Sequence, residues 1–273
     1  MSGPRNAACV AWDTLRRELD TWSAMGTQAT FWWRDDDATV ESAALAQLDE
    51  LATRHGVGVA IAVIPADLDA SLARYLAQRE HFSVLQHGFA HRSYAAPGVK
   101  KIEMGGERST ADIEQALVRG REILSAQFPA QYVPVLVPPW NRVEKRVLER
   151  LPDTGLMGLS SMWTRKSWSA PGGLVQVNTH LDPVNWRHGG KFIGEYRSLA
   201  QINSHLIARR QFDWVRGEAT GILTHHLDQD GAGWEFCDRL ISTLSEHPAV
   251  VWTDAREIWN RDRSLPKGEL AGQ

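Results

Sequence analysis

Residues 30–37 read Thr-Phe-Trp-Trp-Arg-Asp-Asp-Asp: a short aromatic run that turns into three consecutive carboxylates. The first half has the composition of a buried strand. The second half is polar and charged, and it begins where the strand is expected to end. The same junction recurs along the chain. Phe82–Gln86 runs into His87-Gly88-Phe89-Ala90-His91, and Tyr132–Val137 into Pro138-Pro139-Trp140-Asn141-Arg142. Leu174–Val177 runs into Asn178-Thr179-His180-Leu181-Asp182, and Gly221–Leu223 into Thr224-His225-His226-Leu227-Asp228. Val250–Trp252 is followed by Thr253-Asp254. Two further apolar runs, Val57–Ile64 and Met157–Ser160, read as strands too, whereas Pro134 weakens the fourth strand because it removes a ladder donor.

Helical spacing fills the intervals. Ser42–His55, Asp67–Arg79, Thr110–Ala126, Leu199–Arg209 and Trp234–Glu246 repeat apolar positions at three and four, and Thr110 with Glu114 resembles a helix start. Alternating strands and helices imply parallel strands with crossover helices. Seven or eight units suggest a closed or nearly closed barrel, with a doubly wound open sheet as the alternative. In a β/α barrel the strand C-termini open on one face, so the polar clusters, dispersed over most of the chain, converge there. With no linker or repeat, the chain reads as an N-terminal helical extension (1–28), one barrel (29–262) and a tail (263–273).

Composition narrows the function classes. Of 273 residues, 43% are hydrophobic and 23% charged, as in ordinary globular proteins. Thirty Lys plus Arg against 33 Asp plus Glu leave a net charge of −3, which argues against coating nucleic acid. No apolar run approaches the roughly 18 residues of a membrane span. The N-terminus lacks the apolar core of a secretory signal, and Cys9 and Cys237 allow one bridge at most. The expectation is a soluble cytoplasmic protein. Nothing in the sequence speaks to oligomeric state. Twelve tryptophans stand against 4 tyrosines and 7 phenylalanines; most read as structural, those inside strands as core, while Trp32, Trp33, Trp163, Trp168 and Trp186 are the candidates to stack on a sugar.

Among the polar residues, His87 and His91 are spaced so that one helical turn presents both imidazoles on one side, where two neutral nitrogens reach one metal. Three adjacent aspartates repel one another unless a cation or hydrogen bonds compensate. Two histidines plus an aspartate form a three-ligand set that leaves positions open to water. Strand geometry lets one of His225 and His226 enter the site, and His225 shares the parity of Leu223. His55, His81, His205 and His247 read as surface or structural. The segment Ala95–Ser109, rich in glycine and charge, reads equally as a lid over the site or as an exposed loop.

As an ordered set these residues resemble the polysaccharide deacetylase family, the NodB-homology domains of carbohydrate esterase family 4, whose five motifs lie on a deformed (β/α) barrel of about seven parallel strands. RDDDA resembles the first motif, in the style of relatives reading F-R-x-D-D. On this register Asp36 matches the base and Asp37 a metal ligand; a slip by one gives Asp35 and Asp36. His87 and His91 match the paired ligands of H-S-x-x-H. Pro138-Pro139-Trp140 is similar to the groove-walling R-x-P-Y segment, Asp182 and Trp186 to the fourth motif, and Leu223-Thr224-His225 to L-x-H, whose histidine is the general acid. The departures are Ala38 for a glycine, Gly88 for the serine, Arg92 for a proline and Val137 for the third motif's arginine, which pairs with the base; Arg34 and Arg142 are its possible replacements. The resemblance implies hydrolysis of an N-acetyl group on an amino sugar or glycoconjugate. One divalent ion is implied, zinc first, with iron, cobalt, nickel and manganese compatible. It would polarise water and carbonyl while Asp36 takes the water's proton. The Trp140 N–H would face the oxyanion, His225 would protonate the leaving amine, and Asp182 would orient a cationic neighbour. Trp140, Arg142, Trp186 and Arg34 would line the substrate. A lipid- or nucleotide-linked sugar suits a chain without a secretory signal. The alternatives are a non-catalytic carbohydrate-binding relative, suggested by Val137, and another metal-dependent barrel hydrolase.

Overall fold

The computed structural model describes residues 4–167, 169–186 and 189–261. Trp168 and the tail 263–273 lie outside the described residues. In chain order the elements are α1 (Pro4–Ala24), β1 (Ala29–Ala38), α2 (Ala43–His55), β2 (Val59–Val63), α3 (Ala70–Ala77), β3 (Phe82–His87), α4 (Thr110–Gln127) and β4 (Tyr132–Val137). Then come α5 (Lys145–Leu148), β5 (Gly158–Leu159), β6 (Ser169–Ala170), β7 (Leu174–Gln176), β8 (Val184–Asn185) and β9 (Lys191–Phe192). The chain continues through α6 (Glu195–Gln211), α7 (Asp213–Arg216), β10 (Thr220–Thr224), α8 (Gly231–Ser245), β11 (Val250–Trp252) and α9 (Ala255–Arg261).

The main sheet runs β10-β1-β2-β3-β4-β5-β7-β6, with β11 pairing beside the start of β1. From β10 to β7 its seven strands are parallel; β6 pairs antiparallel to β7. The chain beyond β7 closes the circle: Thr179 bridges Met162, Leu181 bridges Ile222 of β10, and the Leu223 N–H donates to Leu181 O. The barrel reading therefore holds over the open sheet. Each apolar run of the sequence contains a strand or is part of one. The Asp67–Arg79 helix is shorter than its pattern, a 3-10 turn at Pro65–Asp67 followed by α3, because Asp69 caps the helix by accepting from the Ser71 N–H. Pro134 sits where the β3–β4 register shifts between Val84 and Gln86, so its missing N–H interrupts a ladder already broken.

Strand alternation sorts the core into layers. Trp32, Ala60, Ala62, Leu85, Val135 and Val137 pack together with Ile258 and Trp259 of α9, and Trp259 meets Trp32 edge-on at 5.4 Å. Phe31, Trp33, Val59, Ile61 and Val63 belong to a second cluster with Leu45 and Leu48 of α2, Leu199 of α6 and Leu240 of α8. Trp32 and Trp33 are thus core residues, at 0% and 1% exposure, and not sugar platforms. The clustering of helix α2 follows from its ends: Ser42 accepts from the Leu45 N–H, and Gly56, at φ 64, closes the last turn. Helix α1 docks on α6 through Trp12 Nε1 to Glu195 Oε2 (3.0 Å) and the two-pronged Arg210–Glu18 pair. Among the described residues no helix is long and apolar enough to cross a membrane.

Candidate metal centre and its surroundings

The acidic run lies inside β1, not after it. Alternation puts Arg34 and Asp36 on one face and Trp33 and Asp35 on the other. Asp35, fully buried, accepts from Thr224 Oγ1 (2.6 Å), from the His226 N–H (3.0 Å) and from His226 Nδ1 (2.5 Å). Burial pushes the His226 imidazole down, and Asp35 more than offsets this, holding it above its ordinary value. Arg34 donates through Nε and Nη2 to the two oxygens of Asp36 (2.8 and 3.0 Å), while its Nη1 donates to Ser160 Oγ (2.6 Å). A simple strand would turn Asp37 back toward the side of Asp35. Instead the β1–β2 register shifts between Asp35 and Ala38, and Asp37 takes a left-handed φ of 73°. That bulge re-aims Asp37 toward β3.

There it meets His87 and His91. His87 Nε2 lies 2.9 Å and His91 Nε2 3.3 Å from Asp37 Oδ1. The pair does not ride on a helical turn: Gly88 (φ 56) and His91 (φ 50) are left-handed, and the segment between them is irregular. The tautomer of neutral His87 is set by its other nitrogen. Nδ1 is 3.0 Å from Val137 O, and a carbonyl only accepts, so Nδ1 carries the proton and Nε2 of the neutral ring presents a lone pair to Asp37. Oδ1 of Asp37 is buried and has no hydrogen bond. A lone pair and a carboxylate oxygen face each other only with a cation between them, a proton or a metal ion that takes its place. Ligands at roughly 2.0–2.1 Å around a tetrahedral ion stand about 3.3 Å apart, close to these separations. Two imidazoles and a carboxylate suit zinc, iron, cobalt, nickel or manganese. Burial alone would raise the Asp37 carboxyl, but its neighbours His87, first, then His225 and His91 hold it well below the carboxylate range. Burial lowers His87, but Asp37 and Asp36 outweigh it and raise that imidazole; burial and His87 lower His91.

The remaining predicted residues divide. The His225 ring meets Trp186 edge-on at 4.6 Å, and its buried Nδ1 has no hydrogen bond. Trp186, half exposed, donates Nε1 to Asp182 Oδ2 (2.7 Å), and burial pushes the Asp182 carboxyl up. Trp140, left-handed at φ 56, lays its ring 4.6 Å from His91. Arg142 is not bonded to Asp36: its Nη1 donates to Lys101 O. Of the two arginine candidates, Arg34 alone grips Asp36, and its i,i+2 spacing on one strand was the available signal. Trp163 is exposed on the surface. The 95–109 segment is anchored by Glu103 and Met104, both fully buried, and Met104 bridges Val143. Its 97–101 stretch is exposed, as the loop reading expects.

Sequence reading passed over a second cluster. His180, His205 and Glu218 are all buried, with His180 Nε2 and His205 Nε2 at 3.6 and 3.4 Å from Glu218 Oε2. This set does not fit an ion. The Gly221 N–H donates to His180 Nδ1 (3.0 Å), so the proton of neutral His180 is on Nε2 and no lone pair faces the carboxylate. The two rings are stacked at 3.2 Å with planes 13° apart, and one ion cannot lie in both planes. Glu218 also accepts from the Arg165 and Asn178 N–H groups. It is a buried carboxylate satisfied by donors.

No protein-family model and no curated protein matches the sequence. Solved structures do. A protein from Mycobacterium smegmatis named as a polysaccharide deacetylase superposes with a TM-score of 0.63 at 15% identity, over 90% of this chain and 96% of that one. A peptidoglycan N-acetylglucosamine deacetylase, solved with an N-oxidanyl-benzamide, gives 0.53 at 12% identity over 88% and 96%. A carbohydrate esterase family 4 pseudoenzyme from Bacillus anthracis gives 0.53 at 13% identity over 85% and 66%. The chain has the NodB-like deformed barrel of the carbohydrate esterase family 4 proteins.

Proposed function

We propose that this chain is a metal-dependent hydrolase that removes the N-acetyl group from an amino sugar or glycoconjugate, releasing acetate and a free amine. A pseudoenzyme shares the fold, so the fold alone does not carry the reading. The observation that carries it is the meeting of a histidine lone pair, a second imidazole and an unpartnered carboxylate oxygen, beside an aspartate gripped by an arginine. A divalent ion held by Asp37, His87 and His91 supplies Lewis-acid polarisation of the attacking water and of the acetyl carbonyl. Asp36 takes the proton of that water at a carboxylate oxygen. Arg34 fixes the plane of the carboxylate, the part that the third motif's arginine plays in the family that the sequence resembles. Its presence answers the vacancy at Val137 that favours a non-catalytic reading. The Trp140 N–H faces the developing oxyanion. His225 protonates the leaving nitrogen, because an amide anion does not depart unassisted, and Asp182 holds Trp186 against His225. Trp186, Trp140 and Arg142 receive the sugar.

The test is acetate release from N-acetylated amino sugars and glycoconjugates by the zinc-loaded protein, beside Asp36→Asn. Release by the wild type and not by the variant supports the reading. A wild type that binds its ion and these sugars but releases no acetate contradicts it and leaves a carbohydrate-binding protein on the same barrel.

A further inference from the structure

The segment carrying His91 is irregular, yet its ligand nitrogen is held to within 3.3 Å of Asp37. Helix or strand pairing does not supply that order. A carboxylate from another part of the chain does. Ala90 N–H donates to Glu103 Oε1 at 2.7 Å, and Phe89 N–H is shared between Oε1 (3.2 Å) and Oε2 (3.3 Å). Two consecutive backbone donors aimed at one anion form a nest, and the anion fixes the turn that makes it. Glu103 is fully buried and is itself held in place. Its neighbour Met104 bridges Val143, the Glu144 N–H donates to Met104 O, and the Ile102 N–H donates to Ser93 Oγ.

Gly88 completes the arrangement. A Cβ there would lie 2.1 Å from Glu103 Oε2 and 2.7 Å from Pro139 Cγ, and the residue's φ is +56°. The carboxylate of Glu103 thus occupies the volume that a side chain at position 88 would fill.

We infer that Glu103 is a positioning residue of the metal centre: its carboxylate, seated against Gly88, holds the turn that delivers His91. The inference rests on the reading of Asp37, His87 and His91 as ligands. It also assigns a purpose to the glycine between the two histidines, which must be free of a side chain because the anchor is a distant glutamate.

The test is zinc affinity of the full chain, by titration against a competing chelator, for wild type, E103A, E103Q, G88A and G88A/E103A. Removing an outer support of a metal ligand weakens affinity by about 10–100-fold. E103A is expected in that range. E103Q, which keeps the volume, is expected near the lower end and is read in its place if E103A does not fold. G88A is expected to weaken zinc at least tenfold with Glu103 present and by a clearly smaller factor once Glu103 is alanine. The left-handed strain at position 88 and the contact with Pro139 are common to both backgrounds, so the difference reads the clash with Glu103 alone, which a merely structural glutamate would not move. Wild-type affinity in both Glu103 variants, with one zinc in the wild type, overturns the inference and leaves the metal reading intact. Additive effects of G88A and E103A overturn the seating of Glu103 against Gly88. A wild type that binds no zinc through His87 and His91 overturns both.

Discussion

At the strand ends, Val137 offers a carbonyl to His87 Nδ1; between β10 and α6, Gly221 offers an N–H to His180 Nδ1. Each histidine turns its other nitrogen toward a carboxylate that a second histidine also approaches. By residue type the two clusters are equivalent. Their protons are opposite. In the first, the neutral ring turns a lone pair to an oxygen without a partner, and on the proposed reading a metal ion would complete the set. In the second, an N–H faces a carboxylate already served by backbone donors, and the set is complete without one. A backbone group at the far nitrogen decides which a His-His-carboxylate cluster becomes.

Breaking each cluster should therefore break different properties. The largest effect is expected beside the first. Asp36→Asn should lower kcat for acetate release by about 10²–10⁴-fold, the usual contribution of a general base, with zinc content unchanged. Loss of zinc in that variant would mean that the register of the aspartates is wrong. In the second cluster, Glu218→Gln should leave zinc bound and cost about 1–3 kcal/mol in urea unfolding, because the buried Arg165 and Asn178 N–H groups then lose their shared charged acceptor. A wild-type midpoint would show that the cluster is not structural.

Ligand linkage sharpens the contrast further. Zinc at 100 times its Kd should stabilise the wild type and His205→Gln by about 2.7 kcal/mol and His91→Ala by almost nothing, read by thermal unfolding with and without chelator. Acid should do the reverse. Burial, with the charge of His180, lowers His205 to about 3, and burial lowers His180 as well. Below the ordinary histidine value near 6.5 the unfolded chain takes up protons that the folded chain refuses, so stability falls as pH drops from 6.5 toward 3. The slope in metal-free protein should be up to about 1.4 kcal/mol per pH unit for each such group. His205→Gln should flatten it; an unchanged slope would contradict the neutral, buried state of the ring. The smallest effect is expected at the groove edge, where Trp186→Ala should raise KM about fivefold, near 1 kcal/mol of ring contact, with a lesser change in kcat. An unchanged KM would remove Trp186 from the sugar's path.

Much of this was legible in the residues. Apolar runs alternating with helical spacing specify a parallel barrel, and the polar clusters fall at its strand ends because those ends are where side chains escape the core. The spacing of His87 and His91 showed the pair but not its geometry, since a left-handed glycine is compatible with many turns. The three aspartates showed charge but not direction. Alternation alone separates Asp36 from Asp35, and the re-aiming of Asp37 depends on a bulge against β2 that a single strand does not announce. Arg34 was readable as a same-face neighbour of Asp36. Glu103, His180, His205 and Glu218 were not readable as parts of any set, because contacts across 13 to 41 residues are made by the tertiary fold.

The most direct measurement is metal content by elemental analysis after zinc loading and desalting, on wild type, His87→Ala, His91→Ala, His180→Ala and His205→Gln. About one ion per chain in the wild type and in both second-cluster variants, with none in His87→Ala and His91→Ala, is the predicted result. An ion that survives loss of His87 and His91 but leaves with His180 or His205 would contradict the account.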